Sequence, residues 1–320
     1  MTVYSVRHVT TYRYQQPVAF GEHRMMLFPR EDHDQRLLDL KLDISPQPIA
    51  LRWSRDVFGN RVASARFSSR AATLRFESAV RIAHSLTAFV AADIEDFAHS
   101  CPFTYAAEDR PHLVQFIERQ CLHRGDALDT WAQNFLRDGA AADTHAVLVN
   151  LTRTIHDTFK YVARHEKGIQ DPLLTLQLRS GSCRDMAVFM MEVVRSLGLA
   201  ARFVSGYLHV RTCSGGPISG GNTHAWVQVF LPGSGWIDFD PSSGIVGNLG
   251  LLRVAVARDP RQALPLHGVY VGTAADSMGM KVEVRVSSCE ETERPGTHAE
   301  VNEDGKQAEL ISRRRRAMPA

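Results

Sequence analysis

The sequence predicts an α+β protein: an N-terminal β-sandwich, then a helical segment, then a helix followed by a strand hairpin. Three observations predict it. Strand-like alternation fills the first third of the chain, helical spacing of apolar residues runs from 105 to 163, and a Gly-Ser loop, helix, strand and hairpin follow in order. The chain has 320 residues, 44% of them apolar, and a formal net charge of +2. That is an ordinary globular profile, and the length suggests roughly two domains. Balanced charge does not predict nucleic-acid binding.

Residues 1–104 are assigned to the β-domain. Val3, Ser5, Arg7, Val9 and Thr11 alternate with Tyr4, Val6, His8, Thr10 and Tyr12 in a run rich in β-formers. LLDLKLDIS at 37–45 alternates apolar and charged side chains. Runs at 49–57 and 61–67 flank Phe58-Gly59-Asn60, which predicts a hairpin turn, and 73–83 is a further strand.

Residues 105–287 are assigned to a second domain. Asp109-Arg110-Pro111 is a helix start, with Leu113, Phe116, Ile117 and Cys121 at helical spacing behind it. Leu128, Trp131 and Phe135 repeat the pattern, and Thr144 to Tyr161 continues it. A helix is expected from Cys183 to Leu197, stopped by Gly198, and a strand from Ala201 to Val210. The Gly/Ser-rich stretch 211–222 predicts a flexible loop. Strands are expected at 223–231 and 235–241 across the turn Pro232-Gly233-Ser234-Gly235, and again at 252–257 and 280–287.

Residues 288–320 are polar, charged and poor in aromatics, so a disordered tail is expected. The run Arg313–Arg316 is taken as a solvated end, and ending the chain near 290 is expected to leave activity unchanged. No apolar stretch reaches the roughly 20 residues of a membrane-crossing helix. The N-terminus has neither an apolar h-region nor a cleavage site, so the cytoplasm is the expected location.

Five cysteines, at 101, 121, 183, 213 and 289, lie at wide and irregular spacings with no CxxC pair. That pattern supports neither structural zinc nor a disulfide framework, and leaves free thiols. His209 and Cys213 lack a second ligand pair, so no metal is expected. Cys183 opens an apolar helix after Gly181-Ser182. The positive end of the helix dipole there favours a thiolate, and first-turn N–H groups without intrahelical partners can donate to an oxyanion. A buried, inert cysteine is the bland alternative. His224 starts a β-branched and aromatic run just after the Gly-rich loop, where a base can reach a nucleophile on another element; a surface histidine at a strand end is the competing reading. Asp240 closes Trp236-Ile237-Asp238-Phe239-Asp240 before Pro241. Asp238 and Asp240 share a strand face, so parity cannot choose between them. A turn centred near Pro232 sets His224 opposite Asp240, and a centre at 233 moves that pairing by a couple of residues. Cysteine, base and carboxylate in reach of one another are what nucleophilic acyl transfer requires.

GSCRDMAVFMMEVVRSLGLAARFVSGYL and THAWVQVFLPGSGWIDFDPSSG, in the order Cys–His–Asp, resemble the transglutaminase-like superfamily core over 143–244. YSVRHVTTYRYQQPVAFGEHRMMLFPR resembles the N-terminal β-domain of bacterial members, and 258–272 and 280–286 resemble their C-terminal strands. The resemblance implies a papain-like/transglutaminase-like core with helices packed on an antiparallel sheet. It places the nucleophile on Cys183, the base on His224 and the orienting carboxylate on Asp240, with Asp238 an extra acid. Gln177, six residues before Cys183, falls where papain-type enzymes carry an oxyanion-hole glutamine. The implied activity is cysteine-dependent acyl transfer on peptide or glutamine amides through a thioester, as a protease/amidase or a transglutaminase. The implied partners are a peptide or protein substrate and a primary amine acceptor, with no cofactor. No Asp/Asn-rich calcium loop is present to support calcium activation. The second class is a non-catalytic peptide-binding or scaffolding protein on the same fold.

Overall fold

The strand β1 (Thr2–Met25) is the spine of the N-terminal half. The structure, a computed structural model, describes residues 1–86, 89–120, 127–136, 142–164, 168–209 and 223–290. The loop expected over 211–222, the tail with its arginine run, and Cys121 and Cys213 lie outside the described residues. β1 pairs antiparallel with β5 (Arg70–His84) on one side, and β5 in turn with β2 (Gln35–Ser45). Further along, at His23–Met25, it pairs with β4 (Arg61–Arg66), which carries β3 (Ala50–Arg55) through the hairpin expected at Phe58-Gly59-Asn60. Gly59 sits at φ +76°, in the left-handed region that a tight turn asks of glycine.

The strands join through β1 into one curled seven-stranded antiparallel sheet. The physical reason is the length of β1: its register with β5 breaks between Arg13 and Val18, which lets one strand bend and serve both halves. Tyr14, Val18, Phe20, Met25, Phe28, Leu74 and Phe76 fill a cluster of their own in this curled sheet. One expectation is corrected here: the C-terminal strands, assigned from sequence to the second domain, belong instead to this sheet. Those strands, at Leu266–Val271 and Ser277–Glu290, both pair with β1 and cover an edge it would otherwise leave open.

The helical segment forms α1 (Arg110–Ile117), α2 (Ala127–Gln133) and α3 (Thr144–Thr158), as its spacing predicts. A helix not foreseen, α4 (Pro172–Leu178), is capped by Asp171, whose side chain accepts from Leu173 N. α5 (Cys183–Ser196) is the central helix, with every residue from Asp185 to Arg195 buried. A helix buried on all sides has to be surrounded, and its buried charges paired: Arg195 Nη1 donates to Glu192 Oε1 at 3.0 Å. α2, α3 and α4 pack around it, and a sheet forms its floor. That sheet comprises β6 (Ala201–Leu208), β7 (His224–Leu231), β8 (Gly235–Asp240), the short β9 (Ile245–Val246) and β10 (Leu251–Ala257). Its order is β9-β8-β7-β6-β10, antiparallel throughout.

The two sheets share one core. Tyr4, Val6, Val80, Ile82, Val284 and Val286 of the first join Val227 and Leu252 of the second, with Leu148 of α3 and Phe189 of α5, in a single apolar cluster. His8 Nδ1 lies 3.0 Å from the Tyr207 hydroxyl, and Asn60 hydrogen-bonds the main chain of Val256 in both directions. No described helix is long and apolar enough to cross a membrane.

Candidate active site

Cys183 occupies the first position of α5. Ser182 is the N-cap: its hydroxyl accepts from Asp185 N while Asp185 Oδ2 accepts from Ser182 N at 2.9 Å. This reciprocal box is written in the sequence as Ser-x-x-Asp. It consumes the third N–H of the helix, and Met186 N is bonded to Ser182 O. The N–H groups of Cys183 and Arg184 are the ones that helix geometry leaves without an intrahelical acceptor.

Asp185 does more than cap. It is fully buried and also accepts from Arg164 Nη1 at 2.8 Å and from Gln170 N at 2.7 Å. Burial raises a carboxyl; here the Gln170, Ser182 and Arg164 hydrogen bonds overcome it and hold Asp185 below the usual carboxylate range. One carboxylate therefore ties Arg164 and Gln170 to the turn that presents the cysteine. Gly181 is part of the same fit, because a Cβ there would lie 2.8 Å from Asp185 Cβ.

The hairpin brings the other two residues in. β7 and β8 pair with Leu231 opposite Gly235 and Val227 opposite Phe239, so the turn is centred on Gly233. His224 therefore meets Asp240 diagonally, not face to face, which corrects the pairing centred on Pro232 by two residues. Diagonal neighbours are within reach of a long or aromatic side chain. His224 Nε2 lies 2.7 Å from Asp240 Oδ2, and Asp240 Oδ1 accepts from Ser242 N, the Ser242 hydroxyl and Ser243 N. Asp238, two residues back on the same face, accepts instead from Trp226 Nε1 at 2.6 Å. Side-chain partners thus make the choice that parity could not.

Cys183 is near enough to His224 to act on the charge of its ring. Nε2 is committed to Asp240, so Nδ1 is the ring nitrogen left for the thiol. Burial alone pulls an imidazole down; the Asp240 carboxylate and the Cys183 group reverse that and push His224 up to about 10. Asp240 is held low, since the His224 charge and the Ser242 and Ser243 hydrogen bonds outweigh its burial. The pair is largely shielded from water, with Asp240 fully buried and the His224 side chain 13% exposed. Cys101 offers the contrast: it is buried, and burial pushes its thiol up to about 11. Cys183 is partly open to solvent.

Gln177 is exposed on α4. Tyr161 was not singled out from sequence. It pairs in parallel with Gly181, is 54% exposed, and its hydroxyl is pushed up by burial and by the charges of Cys183 and Asp185. No local pattern marks it, because its neighbour in space lies 22 positions on. Asp32, His33 and Asp34 have ligand atoms within 4.8 Å of one another, but Asp34 is already engaged by Arg253 and Asn248.

Comparison with known proteins agrees with this architecture. Residues 4–83 match the bacterial transglutaminase-like N-terminal region, and residues 129–241 match the transglutaminase-like superfamily. An uncharacterized protein of Mycobacterium tuberculosis is 26% identical over 296 residues, covering 86% of this chain and 90% of that one. A protein-glutamine gamma-glutamyltransferase of Pseudomonas aeruginosa is 33% identical over 120 residues, 33% of this chain. That match spans 17% of the relative's own length, and one to an uncharacterized protein of Mycobacterium leprae, 36% identical over 105 residues, spans 37% of that protein. A solved structure from Cytophaga hutchinsonii, described as a candidate cysteine protease, superposes with a TM-score of 0.64 at 18% identity over 90% of both chains, which shows a shared fold. The chain carries a transglutaminase-like superfamily core at residues 129–241, with the bacterial transglutaminase-like N-terminal region ahead of it at 4–83.

Proposed function

We propose that the protein is a cysteine-dependent acyl-transfer enzyme acting on peptide or glutamine amides. The observation that carries this reading is the buried His224–Asp240 pair, 2.7 Å apart, beside a cysteine at the head of a helix. Cys183 sulfur attacks the amide carbonyl carbon as His224 accepts the thiol proton. The oxyanion that forms is met by the N–H groups of Cys183 and Arg184, with the Gln177 amide as a further donor. His224 then gives its proton to the leaving amine, the C–N bond breaks, and a thioester on Cys183 remains. Water resolves that thioester in a protease or amidase, and a primary amine resolves it in a transglutaminase. Asp240 keeps the imidazole oriented and stabilises its charge.

Incubation with a glutamine-containing peptide, with and without a primary amine, tests the proposal. Mass spectrometry is expected to show a change of +1 Da for deamidation, peptide cleavage, or incorporation of the amine, and none of these with Cys183→Ala. Turnover that persists unchanged in Cys183→Ala overturns the mechanism. Stoichiometric peptide binding without turnover across a peptide library returns the protein to the scaffolding class.

A further inference from the structure

Trp226 is fully buried, stacks on His224 with ring centroids 5.9 Å apart and planes 28° apart, and is pinned at both ends. At one end its Nε1 donates to Asp238 Oδ1 at 2.6 Å. At the other the indole lies over Gly206, where a Cβ would sit 2.6 Å from Trp226 Cη2. Gly206 is itself the strand partner of His224. Asp238 is held in turn by Arg253 Nη1 at 2.8 Å, and Arg253 Nη2 bonds Asp34 Oδ1. Asn248 Nδ2 donates to Asp34 Oδ2 at 2.6 Å, and Gln35 brackets the Arg253 main chain, accepting from its N at 2.9 Å and donating to its O at 2.8 Å. Asp34, Gln35, Asp238, Asn248 and Arg253 are all buried.

Asp34 and Gln35 fall inside the N-terminal region at 4–83, Asp238 inside the core at 129–241, and Arg253 beyond both. A buried guanidinium needs its carboxylates in place, and a rigid planar fork transmits position from one to the other. We propose that Asp34 of the N-terminal sheet acts, through Arg253 and Asp238, as a positioning residue that holds the Trp226 indole against His224 and so aims the imidazole at Cys183. The N-terminal half is then a working part of the site. If the indole turns, the imidazole loses its wall and water reaches the His224–Asp240 pair. The inference rests on the reading of Cys183 and His224 given above.

Its test reads His224 directly. The full chain is labelled at histidine with 15N, the His224 ring signals are assigned by comparison with His224→Gln, and the ring is titrated in wild type, Asp34→Asn and Trp226→Phe. The charged groups facing this ring are Asp240 from β8 and Cys183 from α5; those facing the relay are Asp34, Asp238, Arg253 and the neutral His84. Both variants are expected to move the His224 midpoint from its raised value towards the ordinary 6.5 or so. They are expected to slow iodoacetamide alkylation of Cys183 at neutral pH by roughly 10–100-fold, as displacement of a reacting group does. Asp34→Glu is expected to restore both. Folded variants with an unmoved His224 titration overturn the inference, whatever the wild-type thiol does. Loss of cooperative unfolding in both variants, with no recovery in Asp34→Glu, overturns it too, because the residues then hold the fold rather than the ring. A wild-type Cys183 that alkylates like an ordinary thiol counts against the acyl-transfer reading instead, and the His224 titration still decides the positioning claim.

Discussion

At the scale of single residues, the site is a largely buried histidine–aspartate pair beside one sulfur. Replacing Asp240 by Asn leaves the shape and removes the charge that holds His224 protonated. Turnover is expected to fall by about 10²–10⁴-fold, the usual worth of an acid–base partner, and steady-state kinetics check it. The pair also links stability to pH. His224, raised above its unfolded value of 6.5, contributes fully below that value and loses the contribution as pH climbs through about 10. Asp240, held below its ordinary 3.8, contributes above that value and loses it as pH falls through its lower folded value. The stability gap between wild type and His224→Gln is therefore expected to be widest between about pH 4 and 6.5 and to narrow towards pH 10. Urea unfolding at three pH values measures it, and a gap flat with pH would mean the pair is uncharged.

Among elements, α5 and the turn before it are the parts whose failure is most specific. Gly181→Ala is expected to push Asp185 out of its four-bonded position, since the new Cβ comes within 2.8 Å. Overpacking of this kind costs about 1–3 kcal/mol. Because Asp185 also caps the helix that carries Cys183, turnover should fall further than the lost stability explains. Comparing kcat at a temperature where the variant is fully folded separates the two. Phe189 is the opposite case: fully buried, with its ring 5.0 Å from Trp131 and 5.1 Å from Phe159. Phe189→Ala is expected to cost about 3–5 kcal/mol through the cavity it leaves, read as a lower thermal midpoint.

For the whole molecule, the question is where the chain can be shortened. Residues 1–290 form one compact unit. Ending the chain after 290 is expected to leave both the thermal midpoint and turnover unchanged. Ending it after Asp276 removes the strand Ser277–Glu290, uncovers an edge of β1, and takes Val284 and Val286 out of the shared core. That shorter chain is expected to aggregate or unfold, and size-exclusion chromatography with far-UV circular dichroism distinguishes the two truncations. The N-terminal half expressed without this strand is expected to fail for the same reason.

Much of this was legible locally. Helical spacing after a Gly-Ser pair put Cys183 at a helix start, and turn residues at 232–235 brought His224 and Asp240 onto one hairpin, wrong only by a two-residue register. Periodicity and turn chemistry act over a few residues, so one chain segment carries the whole signal. Tertiary structure alone decided which aspartate faces the histidine, that Tyr161 borders the cysteine, and that Arg253 reaches an aspartate 219 positions earlier. It also decided that the last strand closes the first sheet. Those choices depend on side chains meeting across the core, where geometry and desolvation select partners that no local pattern announces.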